Sequence, residues 1–211
     1  LYNPNGLVGY WKFDEGTGNT VADSSGNGNK GTWYGTGTHW TTGQIKGAGQ
    51  FNGSNDYVNI PYASTISGNF SVIAWVKTNI LSGEQGFVGT RGPPNTFDLR
   101  LDTRNPWSGF DGVLGDGTNW LIFIFNNFTH DLQFKMAAIA VSTGNYKTYL
   151  NGGKVGDANF SGNVLFSNGT NSIRIGQTGI GYYFNGLIDE VRIYNRTLSA
   201  AEIMALYNAT K

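Results

Sequence analysis

Two groups of residues in this 211-residue chain have the types and spacing to do chemistry. The first is Asp23-Ser24-Ser25-Gly26-Asn27-Gly28-Asn29-Lys30-Gly31, with one carboxylate, two amides, two hydroxyls, three glycines and no apolar side chain. Such a stretch cannot build a core. It reads either as a polar hairpin loop or as a cradle for Ca²⁺, whose roughly six to eight oxygen ligands are turned inward where glycine permits φ > 0. Asp23 is its carboxylate, Asn29 offers an amide oxygen or its carbonyl, and Gly26 and Asn27 offer carbonyls. The second group is Asp98, Arg100 and Asp102, which alternate with Phe97, Leu99 and Leu101. Strand periodicity sends the apolar set inward and the charged set outward.

Catalysis asks for more than these residues offer. Glycoside hydrolysis uses two carboxyl groups roughly 5–9.5 Å apart. Asp98 and Asp102 share a face at about 13 Å with Arg100 between them, which reads more simply as a solvated ion-pair ladder. The chain has four glutamates. Glu202 suits a helix cap, Glu15 and Glu190 each follow an aspartate and so face the other way on a strand, and Glu84 stands apart. His39 and His130 are the only histidines, and neither has a nucleophile pattern beside it. The residues therefore point away from an enzyme.

The elements that must position these groups are strands. Gly at 32 residues, aromatics at 14% and charged residues at 13% favour many short strands joined by tight turns. Leu7–Phe13, Thr20–Ala22 and Thr32–Tyr34 read as strands, and residues 50–53 and 57–60 form a hairpin. In Phe70–Lys77, Phe70, Val72, Ala74 and Val76 line one face and Ile73 and Trp75 the other, which predicts a central strand covered on both sides. Phe97–Leu101 follows, then Trp107–Leu114 and Thr118–Phe125 around a Gly115-Asp116-Gly117 turn. Gln133–Ser142 and Lys147–Leu150 pair across 143–145, and Ser172–Gly176 and Gly186–Tyr194 close the set. One helix is predicted, where Ser199 and Glu202 make a capping box ahead of Ile203, Leu206 and Tyr207. No repeat or linker divides the chain, so residues 1–211 read as one domain.

Fourteen acids balance fourteen bases, which argues against an electrostatic nucleic-acid binder. No apolar span approaches about 18 residues, so no membrane-inserted helix is expected. Cysteine is absent, excluding disulfides and thiolate metal sites. The chain begins at Leu1 and is read as a monomeric module of a longer precursor, placed outside the cell or at its surface.

The stretches Gly6–Gly16, Asp23–Asn29, Phe51–Val58, Ser71–Val76 and Gly186–Ile203, in that order, resemble the laminin-G-like, concanavalin A-like jelly-roll domains. Phe134–Ala138 and the stretch from Phe87 to Phe128 depart from that family's pattern. The resemblance implies an all-β sandwich of two antiparallel sheets with one short C-terminal helix, a bound calcium ion, and carbohydrate or adhesion roles. It adds Asp189 to Asp23 and Asn29 as a metal ligand, with Asp14 as a fourth candidate that can instead cap its own turn. Asp23 and Asp189 would then form a structural clasp.

Sugar rings stack on aromatic side chains while polar groups bond their hydroxyls. Trp11 and Trp75 lie in strand patterns and read as core, whereas Trp33, Tyr34, Trp40, Trp107, Trp120, Tyr182 and Tyr183 lie in or beside loops. Asp98, Arg100, Asp102, Trp107, Trp120, Tyr182 and Tyr183 are the expected ligand-binding rim. The function expected is non-catalytic carbohydrate binding, stabilised by calcium. A structural or adhesive module contacting a protein partner, in a cell-envelope or pilus-like protein, is the alternative, and a glycoside-active domain ranks third.

Overall fold

The computed structural model describes residues 5–90, 96–102, 109–127, 131–179 and 181–211. Trp107 and His130, both singled out by sequence, lie outside the described residues. The chain opens with β1 (Leu7–Trp11), β2 (Thr20–Val21), β3 (Gly31–Tyr34), β4 (Trp40–Thr42) and β5 (Gly47–Asn52). It continues through β6 (Tyr57–Ile60), β7 (Thr65–Ser67), β8 (Phe70–Thr78), β9 (Glu84–Gly89) and β10 (Phe97–Asp102). Next come β11 (Gly109–Gly115), β12 (Trp120–Asn127), β13 (Lys135–Ser142), β14 (Asn145–Leu150) and β15 (Gly153–Asn159). The last elements are β16 (Leu165–Asn168), β17 (Ile173–Ile175), β18 (Gln177–Thr178), β19 (Tyr182–Tyr183), β20 (Asn185–Tyr194) and helix α1 (Ala200–Thr210).

Two eight-stranded antiparallel sheets carry the fold. The first runs β15-β14-β13-β8-β20-β5-β4, with β1 also on β20, and the second runs β12-β11-β10-β9-β17-β6-β3-β2. The non-consecutive neighbours are the crossovers of a jelly roll, as the sequence predicts. Between the sheets lies a core that includes Trp11, Phe13, Trp33, Phe51, Phe70, Phe87, Phe97 and Phe166. Trp33 belongs to this core at 3% exposure, which corrects its placement among the loop aromatics.

β8 is covered on both faces, and the cover on its outer face is α1. Ile73, Trp75, Tyr194 and Leu198 pack there against Ile203 and Leu206. The helix starts where expected: Ser199 Oγ accepts from the Glu202 N–H, and the Ser199 N–H donates to Glu202 Oε2 at 2.9 Å. Arg196 reaches Glu202 at 2.7 Å and holds its carboxyl down at about 2. At the far end Trp75 Nε1 donates to Thr210 Oγ1 at 2.9 Å, docking the helix on the first sheet.

Candidate functional site

β10 places Asp98, Arg100 and Asp102 on the outer face of the second sheet, while Phe97, Leu99 and Leu101 enter the core. The faces are as sequence predicts. The exposure is not: Asp98 and Asp102 are fully buried and Arg100 is 6% exposed, so the solvated ladder is corrected to a buried charge cluster. The register of three strands builds it. Arg100 lies opposite Gly86 on β9 and Asp111 on β11, and Asp102 lies opposite Glu84. Arg100 Nη1 bonds Glu84 Oε2 at 2.6 Å, Nη2 reaches Asp111 Oδ2 at 3.0 Å, and Nε lies 3.6 Å from Asp98 Oδ1.

The carboxylates converge as well. Oxygens of Glu84, Asp102 and Asp111 lie within 4.8 Å of one another. Burial pushes the Asp111 carboxyl up to about 6, against the pull of Arg100 and with a further push from Glu84. A search along one strand cannot find this group, because its members come from β9, β10 and β11. Asp111 was therefore missed by sequence reasoning, and Glu84 was set aside.

A hairpin walls one side of this floor. β18 and β19 pair through Gln177–Tyr183 and Thr178–Tyr182. A Cβ on Gly86 would stand 2.2 Å from Thr178 Oγ1, and one on Gly89 would stand 2.7 Å from Thr178 Cγ2. The hairpin lies flat on β9 because neither side chain exists. It carries Tyr182, whose ring centroid sits 4.9 Å from the Arg100 guanidinium carbon. Tyr182 thus joins Asp98, Arg100 and Asp102, as the sequence grouping has it, and Tyr183 follows on the same short strand. Trp120 does not join them: it pairs with Gly115 at the turn end of the β11–β12 hairpin.

The Asp23 loop is closed by backbone donors. Asp23 Oδ1 accepts from the Tyr10 and Ser25 N–H groups at 3.0 and 2.9 Å, and Oδ2 accepts from the Asn29 N–H at 2.9 Å. The Asn29 carbonyl accepts from Trp11 Nε1 at 2.8 Å, and Asn27 and Asn29 donate their amides to carbonyls of β1. Asp14 Oδ1 is taken by the Gly47 N–H, and Asp189 Oδ2 by the Ile45 N–H. N–H groups aimed at a carboxylate do the work a cation would do. Asp14, Asp23 and Asp189 also form no acidic cluster of the kind made by Glu84, Asp102 and Asp111. Through these hydrogen bonds the Asp23 loop fastens to β1.

On the helix side a cavity of about 510 Å³ is lined by Tyr10, Lys12, Asp14, Glu190, Arg192 and Thr210, among others. Its buried charges are spent on each other. Tyr10 donates to Glu190 Oε2 at 2.6 Å, Arg192 donates to Tyr10 Oη at 2.7 Å, and the Arg192 guanidinium lies 4.0 Å from the Tyr10 ring centroid. Burial raises the Tyr10 phenol far above its ordinary range, partly offset by Arg192. The trio pins β1 to the bulge in β20, where Glu190 takes φ 55°.

The chain belongs to the laminin G-like family described as the concanavalin A-like lectin/glucanases superfamily, whose model matches residues 52–204. Among solved structures it resembles domain 4 of AbnA, a GH43 extracellular arabinanase from Geobacillus stearothermophilus, in complex with arabinotriose. The two are 26% identical with a TM-score of 0.73 over 95% of this chain and 98% of that one. The binding domain of Paraclostridial Mosquitocidal Protein 1 is 16% identical with a TM-score of 0.67, over 97% of this chain and 52% of that one. A Trypanosoma rangeli sialidase in complex with the inhibitor DANA is 15% identical with a TM-score of 0.68, over 95% of this chain and 32% of that one. These last two share the fold alone, and this chain spans about half of the toxin domain's length. No curated protein matches the chain. Among the described residues no helix is long and apolar enough to cross a membrane.

Proposed function

We propose that this chain is a non-catalytic carbohydrate-binding module of an extracellular or surface protein, with its site on the outer face of the second sheet. The observation that carries this reading is the convergence of Glu84, Asp98, Arg100, Asp102 and Asp111 beneath Tyr182. Glu84, whose side chain keeps 13% exposure, can accept from sugar hydroxyls and the Tyr182 ring offers a face for C–H stacking, while the buried Asp98, Arg100, Asp102 and Asp111 hold both in place. The likeness to an arabinanase domain bound to arabinotriose supports the class of ligand. Glu84 and Asp111 each commit an oxygen to Arg100, which suits binding better than proton transfer. Titration against a panel of neutral oligosaccharides headed by arabinotriose tests the reading. Binding that is lost in Tyr182→Ala and in Glu84→Gln supports it, and a panel without any binder defeats it.

A second reading, glycoside hydrolysis, is favoured by one specific observation. Carboxylate oxygens within 4.8 Å of one another, with Asp111 pushed up to about 6, resemble the acid and nucleophile of a retaining glycosidase. Reducing-end release from the bound oligosaccharide, abolished in Asp111→Asn, would establish it. Unchanged oligosaccharide after long incubation leaves the binding module.

A further inference from the structure

The open face of the second sheet carries more than its charged floor. Phe123 and Phe125 on β12 are 54% and 50% exposed, while Ile124 between them is buried in the core. The register continues across the sheet: Phe125 pairs with Asp111, which pairs with Arg100, and Phe123 pairs with Val113, which pairs with Asp98. Directly opposed residues share a face, with Cβ atoms about 5 Å apart. The two rings therefore stand next to the floor, on the side away from the β18–β19 wall. Phenylalanine has no polar tip, so its exposure gains no hydrogen bond from water.

The floor also has a sign. Four carboxylates, Glu84, Asp98, Asp102 and Asp111, surround Arg100. A chain with balanced charge overall thus gathers four carboxylates with one guanidinium in this cluster. Because the floor is buried, its field is weakly screened and reaches a ligand it does not touch.

We propose that Phe123 and Phe125 form a stacking shelf leading to the floor, and that the site takes uncharged, hydroxyl-rich glycan chains and excludes uronates and sulfated sugars. This rests on the reading that this face binds carbohydrate. The phenyl faces take the C–H faces of successive sugar rings. The field of the buried floor repels a ligand carboxylate or sulfate and leaves an uncharged sugar unopposed. A second copy of the chain laid along β12, an edge of the sheet, is the other way to cover these rings.

The test is calorimetric titration of the whole chain with arabinotriose and other neutral oligosaccharides, with trigalacturonate, and with a glucosamine trimer. Trigalacturonate should bind at least about tenfold more weakly than the best neutral sugar at low salt, with the gap narrowing as salt screens the floor. Phe123→Ala and Phe125→Ala should each weaken neutral-sugar binding about two- to tenfold. Their melting temperatures should not move, because both positions are exposed. Equal or tighter binding of trigalacturonate, or tighter binding of the glucosamine trimer than of any neutral sugar, overturns the charge selection while the carbohydrate reading stands. Phe variants with intact sugar affinity overturn the shelf, and a loss of self-association in those variants by light scattering shows β12 to be a contact between copies instead. If no glycan binds at all, the underlying reading itself has failed.

Discussion

The guanidinium carbon of Arg100 lies 4.9 Å from the ring centroid of Tyr182, while its nitrogens hold Glu84 and Asp111. One cation thus ties three strands of the second sheet to the hairpin above them. Arg100→Met should leave buried carboxylates without their counter-charge, at a cost of about 3–5 kcal/mol. At this chain length that corresponds to a melting-temperature drop of roughly 10 °C. Thermal unfolding followed by circular dichroism checks it, and a drop of only a degree or two would mean the cluster relaxes by taking up protons or water.

Asp189 is fully buried on the outer face of the first sheet, and its Oδ1 accepts no hydrogen bond. Burial raises its carboxyl from 3.8 to about 7, against the pull of the Ile45 N–H, and the charges of Glu190 and Asp14 push the same way as burial. The folded chain therefore keeps a proton that the unfolded chain has already released. Stability should fall as pH rises from about 4 through about 7 and then level off. In Asp189→Asn the amide supplies that proton permanently, so the decline should flatten and the variant should melt higher than the parent at pH 8. Melting curves across this range decide it. A parent curve that rises over the same window would contradict the assignment.

Asp23 accepts three backbone N–H groups from Tyr10, Ser25 and Asn29. Asp23→Ala should cost about 2–3 kcal/mol, since hydrogen bonds to a charged acceptor are the stronger kind and the site is half-buried. Adding a chelator to the parent protein should leave the melting temperature unchanged. A fall of several degrees with chelator, reversed by added Ca²⁺, would restore an ion to this clasp.

Gly86→Ala tests the hairpin wall. The new Cβ would stand 2.6 Å from the Thr178 backbone nitrogen, so β18 must lift. Overpacking of this kind costs about 1–3 kcal/mol. Because Tyr182 moves with the hairpin, sugar affinity should fall in a variant that is still fully folded at room temperature. Unchanged affinity would show that Tyr182 is not part of the site.

Some of this was legible in the sequence and some was not, for definite reasons. Alternation in Phe97–Leu101 identified the two faces of β10, because the side-chain period is fixed by strand geometry. It could not reveal that Asp98 and Arg100 would be covered, since Thr178 and Tyr182 lie about 80 residues later in the chain. Glu84 and Asp111 met Arg100 through inter-strand register, which no single stretch encodes. Phe123 and Phe125 were readable in principle: Trp-Leu-Ile-Phe-Ile-Phe places two rings two residues apart on one face. The aromatic search looked to loops and to tryptophan and tyrosine, so it missed them. The Asp23 loop was correctly seen as polar and built on turns, yet composition cannot tell oxygens gathered for a cation from oxygens gathered for N–H groups.

The wall of the site rests on two absent side chains. At Gly86 and Gly89 the seat of the β18–β19 hairpin is made by subtraction, so the hairpin is an applied piece, a two-stranded sheet of its own whose Thr178 meets β9 and whose Tyr182 meets Arg100. The segment that joins these two strands can therefore vary while Arg100 and its carboxylates, which carry both the charge of the floor and part of the stability of the sheet, stay fixed.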